Sequence, residues 1–225
     1  MILGSATWTE VDLVADRLVL VVPLGATEQH GPHLPLATDT DVAEAVARRA
    51  AGRRSDVVVA PALPYGSSGE HVGFAGTLSI GQEALEQVVL ELGRSADAFA
   101  GVVFASGHGG NAGPLARAIA TLRSEGRQVA AWHPTGYVDA HAGRTETSLV
   151  LALDPGAVRA GAPSPATADP SPSSCPPSRP AASAPWPPTA SSATPLVRRP
   201  PRARRCSRPS STSCSRPSTR WPPRG

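Results

Sequence analysis

The chain has 225 residues, enough for one large domain or two small ones. Its formal net charge of +3 joins two opposite segments: residues 1–154 carry 17 of the 18 acids and 10 of the 21 cations, while the remainder carries 11 cations and a single acid. No apolar run reaches the roughly 18–20 residues of a membrane-spanning helix, no basic and then apolar signal segment opens the chain, and residues 1–154 contain no cysteine. These features predict a cytoplasmic protein that works without a membrane, in which any metal is held by His and carboxylate.

In chain order, Leu18–Leu24 is a short apolar, β-branched run that predicts a strand. The spacing of Val42, Ala45, Val46 and Ala50 predicts a helix over Asp41–Arg54, and Val57–Ala60 predicts a second strand. Gly81–Ala100 places Ala84, Leu85, Val88, Val89, Leu92, Ala96 and Phe99 on one helical face. A third strand at Gly101–Ala105, a helix at Pro114–Glu125, a fourth strand at Gln128–Trp132 and a short helix at Thr145–Leu153 follow. Alternation of this kind predicts an α/β fold, a three-layer α/β/α arrangement with a mostly parallel sheet, over residues 1–155.

From residue 156 to 225 the text turns to Pro, Ser, Ala and Arg without hydrophobic periodicity, which predicts a disordered tail unable to bury enough apolar area to offset chain entropy. An Arg-rich arm for nucleic acid is one reading of it. The absence of any lysine, with Arg supplying every cation, favours instead a shifted reading frame in a GC-rich gene. On that reading the domain is incomplete at its C-terminal end, and no nucleic acid is bound.

In open α/β sheets ligands lie beyond the carboxyl ends of the strands. Here Glu28, His30 and His33 follow the first strand, His71 the second, His108 the third and His133 the fourth. Glu28 and His30, two residues apart in an extended segment, can present a carboxylate and an imidazole to one point, and Asp39 can fold back to it from the start of the next helix. That donor mixture suits zinc, manganese or ferrous iron, although a polar loop would read similarly. Ser106-Gly-His108-Gly-Gly-Asn111 also matches a dinucleotide-binding turn as text, but no acid ends the following strand to hold a ribose. His141 and Glu146 can meet through a turn at Gly143, with His141 as a proton shuttle and Glu146 as either a functional carboxylate or a helix cap. Tyr65-Gly-Ser-Ser-Gly-Glu70-His71 is a glycine-rich loop at the same end of the sheet, suited to lining a site.

Pro23-Leu-Gly-Ala-Thr-Glu-Gln-His-Gly-Pro-His33, Asp39, Tyr65-Gly with Glu70-His71, Gly76-Thr, Gly107-His-Gly-Gly-Asn111 and His141-Ala-Gly with Glu146-Thr-Ser together resemble the creatininase family of metal-dependent amidohydrolases. The resemblance spans about residues 18–155 and implies two divalent ions (Zn, Fe or Mn) held by Glu28, His30, Asp39 and His108, with Asp39 bridging. Gly110 stands where creatininases proper have a second-metal glutamate, so Glu146 is the candidate to complete that site. His141 matches the family's catalytic histidine, with Glu146 as metal ligand or proton relay. Tyr65, Glu70, His71, Gly109, Gly110, Asn111 and Tyr137 are the expected substrate-binding set, and Tyr137 replaces a tryptophan of creatininases proper. Within the family the wording looks most like peptidases that trim a modified ribosomal precursor peptide. Hydrolysis of a small cyclic amide or formamide is the alternative, and a homo-oligomer is implied.

Overall fold

The structure is a computed structural model that describes residues 1–136, 139, 141–159 and 161. Tyr137 and the predicted tail beyond 161 lie outside the described residues. All described residues belong to one compact unit.

Four strands, β1 (Val19–Leu24), β2 (Val57–Val59), β3 (Gly101–Ser106) and β4 (Val129–Trp132), form one sheet in the order β2-β1-β3-β4, and every pairing is parallel. Val19 stands opposite both Val57 and Gly101, and Val102 opposite Val129. A parallel sheet needs both faces covered, which is why β1 and β2 read as unbroken apolar runs. Leu20, Val22, Leu24, Val58, Val102 and Phe104 point to one face. There they meet Leu85 and Val89 of α3 (Gly81–Ser95) and Leu115, Ala118 and Leu122 of α4 (Ala112–Ser124). Val21, Val57, Val59 and Ala105 point to the other face, against Ala47 and Ala51 of α2 (Thr38–Arg53), with α5 (Arg144–Leu153) packed beside α2. The three-layer α/β/α expectation is met.

Boundaries differ from the sequence-based ones where packing overrides periodicity. The longest predicted helix stops at Ser95 rather than Ala100, and its buried stripe is Leu85, Val89, Leu90 and Gly93, with Leu92 exposed. Gly93 decides the rotation: a Cβ there would lie 2.4 Å from Leu122 Cδ1, so α3 and α4 cross at the glycine. The N-terminal helix α1 (Trp8–Asp12) was not predicted, although its Thr7–Glu10 capping box was legible as Thr-x-x-Glu.

α2 begins at Thr38, three residues before the predicted start, which puts Asp39 in its buried first turn. Two glycines permit this placement. A Cβ on Gly25 would lie 2.1 Å from Thr40 Oγ1 and 2.4 Å from Thr40 Cα, and one on Gly107 would lie 2.2 Å from the Asp39 carbonyl oxygen. The first turn of α2 therefore rests on the ends of β1 and β3.

Gly25→Ala should destabilise the fold by about 1–3 kcal/mol, the usual cost of overpacking against backbone. Gly52→Ala, in an exposed helical stretch with no atom within 4 Å of the added methyl, should stabilise it by roughly 0.5–1 kcal/mol. Urea unfolding of both variants beside the parent checks the pair.

Candidate metal centre

The loops leaving the carboxyl ends of the strands surround a cavity of about 440 Å³. Glu28, Asp39, Glu70, His71, His108, Gly109, Gly110, His133, His141 and Glu146 contribute to its lining. Glu28 sits at its floor with no exposed surface, because Leu36 accepts its backbone N–H and folds the 28–36 loop back toward α2. His30, also without exposed surface, places Nε2 3.1 Å from Asp39 Oδ1, and His108 places Nδ1 3.2 Å from Asp39 Oδ2. Asp39 thus stands between two imidazoles that come from different strands. His108 Nε2 is 3.3 Å from Glu28 Oε2, while His71 Nε2 and His141 Nδ1 approach Glu28 Oε1 at 3.5 and 3.6 Å.

Three groups have donor atoms lying mutually within 4.8 Å: Glu28, Asp39 and His108; His30, His141 and Glu146; and Glu28, His71 and His141. Both oxygens of Glu28 and Oδ2 of Asp39 are buried without a hydrogen-bond partner. Buried carboxylate oxygens left unpaired carry a desolvation cost of about 1–3 kcal/mol or more each, and cations between them and the imidazoles would remove it. The donor set therefore fits divalent metal.

Electrostatics follow from the same burial. Burial raises Glu28 to about 7, and the neighbouring Ser68 hydroxyl and His108 only partly offset it. For His108 burial acts downward, but its bond to Asp39 and the Asp39 and Glu28 charges outweigh that and raise it to about 9. Burial and the neighbouring His30 lower His141 to about 4. Its Nε2–H donates to the Gln29 carbonyl, which leaves Nδ1 as the bare nitrogen facing Glu28.

His141 reaches the site through Ala142, a non-glycine residue with φ of +59°, a left-handed conformation that costs about 1–2 kcal/mol. Glu146 Oε2 accepts the Ala142 N–H at 2.5 Å and holds the turn beside His30, whereas the first backbone N–H groups of α5, those of Arg144 and Thr145, are taken by the Asp139 carboxylate, so Glu146 does not cap the helix. Of the expected substrate-side residues, Glu70, His71, Gly109 and Gly110 line the cavity; Tyr65 is exposed and is not among the lining residues. Asn111 is fully buried and braces three loops: it donates to Gly25 O and Ser106 Oγ and accepts from Ser67 N–H. Gln29 was missed by sequence reasoning. Its side chain bonds His71 Nδ1 and accepts the Gly31 N–H, and its carbonyl orients His141. Only its place between two candidate ligands could have signalled this.

The family model named Creatininase, described as creatinine amidohydrolase, matches residues 4–208. The chain is 50% identical over 169 residues to a mycofactocin precursor peptide peptidase of Mycobacterium tuberculosis, covering 70% of this chain and 66% of that one. It is 51% identical over 160 residues to the protein of the same name in Mycolicibacterium smegmatis, covering 68% and 64%. A creatinine amidohydrolase of Pseudomonas putida is 31% identical over 188 residues, covering 68% of this chain and 71% of that one. The chain thus spans about two thirds of the length of the mycofactocin peptidases it matches. Among solved structures it resembles "Creatininase Mn" (TM-score 0.60, 30% identity) and a mutant creatininase of "Zn-Zn type" (TM-score 0.62, 30% identity). Each of these comparisons covers 70% of this chain and 74% of the other.

Metal uptake should displace protons. A ligand must be deprotonated to bind a cation, and at pH 7 the metal-free protein holds His108 protonated and Glu28 about half so. Affinity for Zn2+ or Mn2+ should therefore rise with pH through 7, keep rising more gently toward 9, and then level off. Titration calorimetry in buffers of different ionisation enthalpy counts the protons released; at least about one per chain is expected at pH 7.

Proposed function

The chain belongs to the creatininase family, and we propose that it is a divalent-metal-dependent hydrolase of an amide bond near the C-terminus of a modified precursor peptide. The peptide class is the one named for its relatives of about half identity, the mycofactocin precursor. The observation that carries this reading is the pair of buried carboxylates, Glu28 and Asp39, with oxygens unpaired among four imidazoles.

Glu28, Asp39 and His108 would hold one ion, and His30 and Glu146, with Asp39 close to His30, would hold a second. Bound divalent ions supply an activated water and a positive charge that polarises the scissile carbonyl. The remaining chemistry falls to the chain's own groups. His141, neutral at pH 7, offers the bare Nδ1 at the cavity, where it can take a proton from the attacking water and return it to the departing amide nitrogen. The Gln29 carbonyl keeps that tautomer in place. Gly109, with no atom within 4 Å of where a Cβ would stand, keeps the rim beside His108 free of a side chain, which gives an extended substrate access. The family resemblance also supports a homo-oligomer.

Chelation should abolish release of a C-terminal peptide fragment, and Zn2+, Mn2+ or Fe2+ should restore it. His108→Ala should lose metal and cleavage together. His141→Ala should keep its metal and slow cleavage by about 10²–10⁴. A rate indifferent to chelation, or a protein that opens only small cyclic amides, would overturn the proposal.

A further inference from the structure

Gln29 lies between Glu28 and His30, and its side chain and its backbone meet two different imidazoles. The side-chain oxygen accepts the Gly31 N–H at 2.9 Å, which fixes the orientation of the amide and leaves its nitrogen facing His71 Nδ1 at 3.0 Å. An amide nitrogen only donates, so His71 Nδ1 accepts and the ring's hydrogen stands on Nε2. That N–H faces Glu28 Oε1 at 3.5 Å. The Gln29 carbonyl only accepts, so His141 Nε2 donates to it, and the bare Nδ1 of His141 faces the same Glu28 oxygen at 3.6 Å. The two rings stack with centroids 4.4 Å apart, and both line the cavity. One residue therefore sets a hydrogen and a lone pair side by side above Glu28.

We propose that Gln29 is a positioning residue that gives His71 and His141 opposite roles toward the cavity, and that the Nε2–H of His71 holds the oxygen of the substrate's scissile amide. The assignment rests on the hydrolase reading above and deepens it. Glu28, His71 and His141 lie close enough together to share an ion, but His71 turns a hydrogen rather than a lone pair toward that point, so the trio handles substrate and protons instead of metal. An N–H in this place binds an oxygen more strongly as negative charge grows on it, while the bare nitrogen beside it takes the proton of the attacking water. The chemistry also accounts for an amide at position 29. A carboxylate there would accept a hydrogen from His71 Nδ1 and turn the lone pair of Nε2 toward Glu28.

The first test reads ring nitrogens rather than turnover. Nitrogen NMR of the full chain with isotopically labelled histidine, without metal and loaded with Zn2+ at mildly alkaline pH, reports which nitrogen of each ring carries the hydrogen; His71→Phe and His141→Ala assign the two rings. Wild type should show His71 with Nε2 protonated and Nδ1 bare in both states. Gln29→Glu should put a hydrogen on Nδ1 of His71, while His141, held by a backbone carbonyl, keeps its bare Nδ1. A wild-type His71 with its hydrogen on Nδ1, or with Nε2 bound to Zn2+, overturns the assignment, and so does an unchanged His71 in Gln29→Glu. His71→Phe should keep the metal content of wild type and lose about ten- to a hundredfold in kcat/KM for the precursor peptide, the loss of one hydrogen bond to a charged group. Loss of an ion, or an unchanged kcat/KM, overturns it. Wild type that cleaves no peptide would instead count against the substrate reading, and the nitrogen spectra still decide the role of Gln29.

Discussion

Everything at the site depends on how closely the first turn of α2 can approach the ends of β1 and β3. Gly25 and Gly107 leave room for the backbone of Thr40 and Asp39 at distances no side chain would allow. Asn111, fully buried, then ties the β1 end to Ser106 and to the loop after β2. Because backbone atoms of α2 lie close at both glycines, Asp39 is placed between His30 and His108. Such positional rigidity is what a site that stabilises developing charge needs.

The electrostatic character of the centre follows from that closeness. Carboxylates removed from water would ordinarily take up protons, and Glu28 moves in that direction. Asp39 moves the other way although burial acts upward on it, because two imidazoles stand beside it, one close to each oxygen. His141 shares the cavity yet stays neutral, since burial and His30 disfavour its charged form. One small cavity therefore holds two buried carboxylates shifted in opposite directions beside an imidazole that stays neutral.

Much of the fold was legible because a parallel sheet writes itself as unbroken apolar runs. Val19–Val22 and Val57–Val59 are examples, and the helices between them carry their own period. What escaped was set by partners distant in sequence. The stripe of α3 turns toward Leu90 and Gly93 because Leu122 presses on the glycine, and α2 starts early because Asp39 and Thr40 are buried against strand ends. The site divided in the same way: donor types and order were readable, whereas Gln29 and Asn111 acquire their work from what surrounds them.

By itself the sequence determined which residues could carry the chemistry and that they gather at one rim of a parallel sheet, since strand and helix periods and His/carboxylate identity are local properties. Only the tertiary structure decided that Asp39 faces two imidazoles, that His141 offers Nδ1, and that the Gln29 amide bonds His71 Nδ1. Those facts depend on distances between segments tens of residues apart, and such distances are fixed by packing of backbone against glycine.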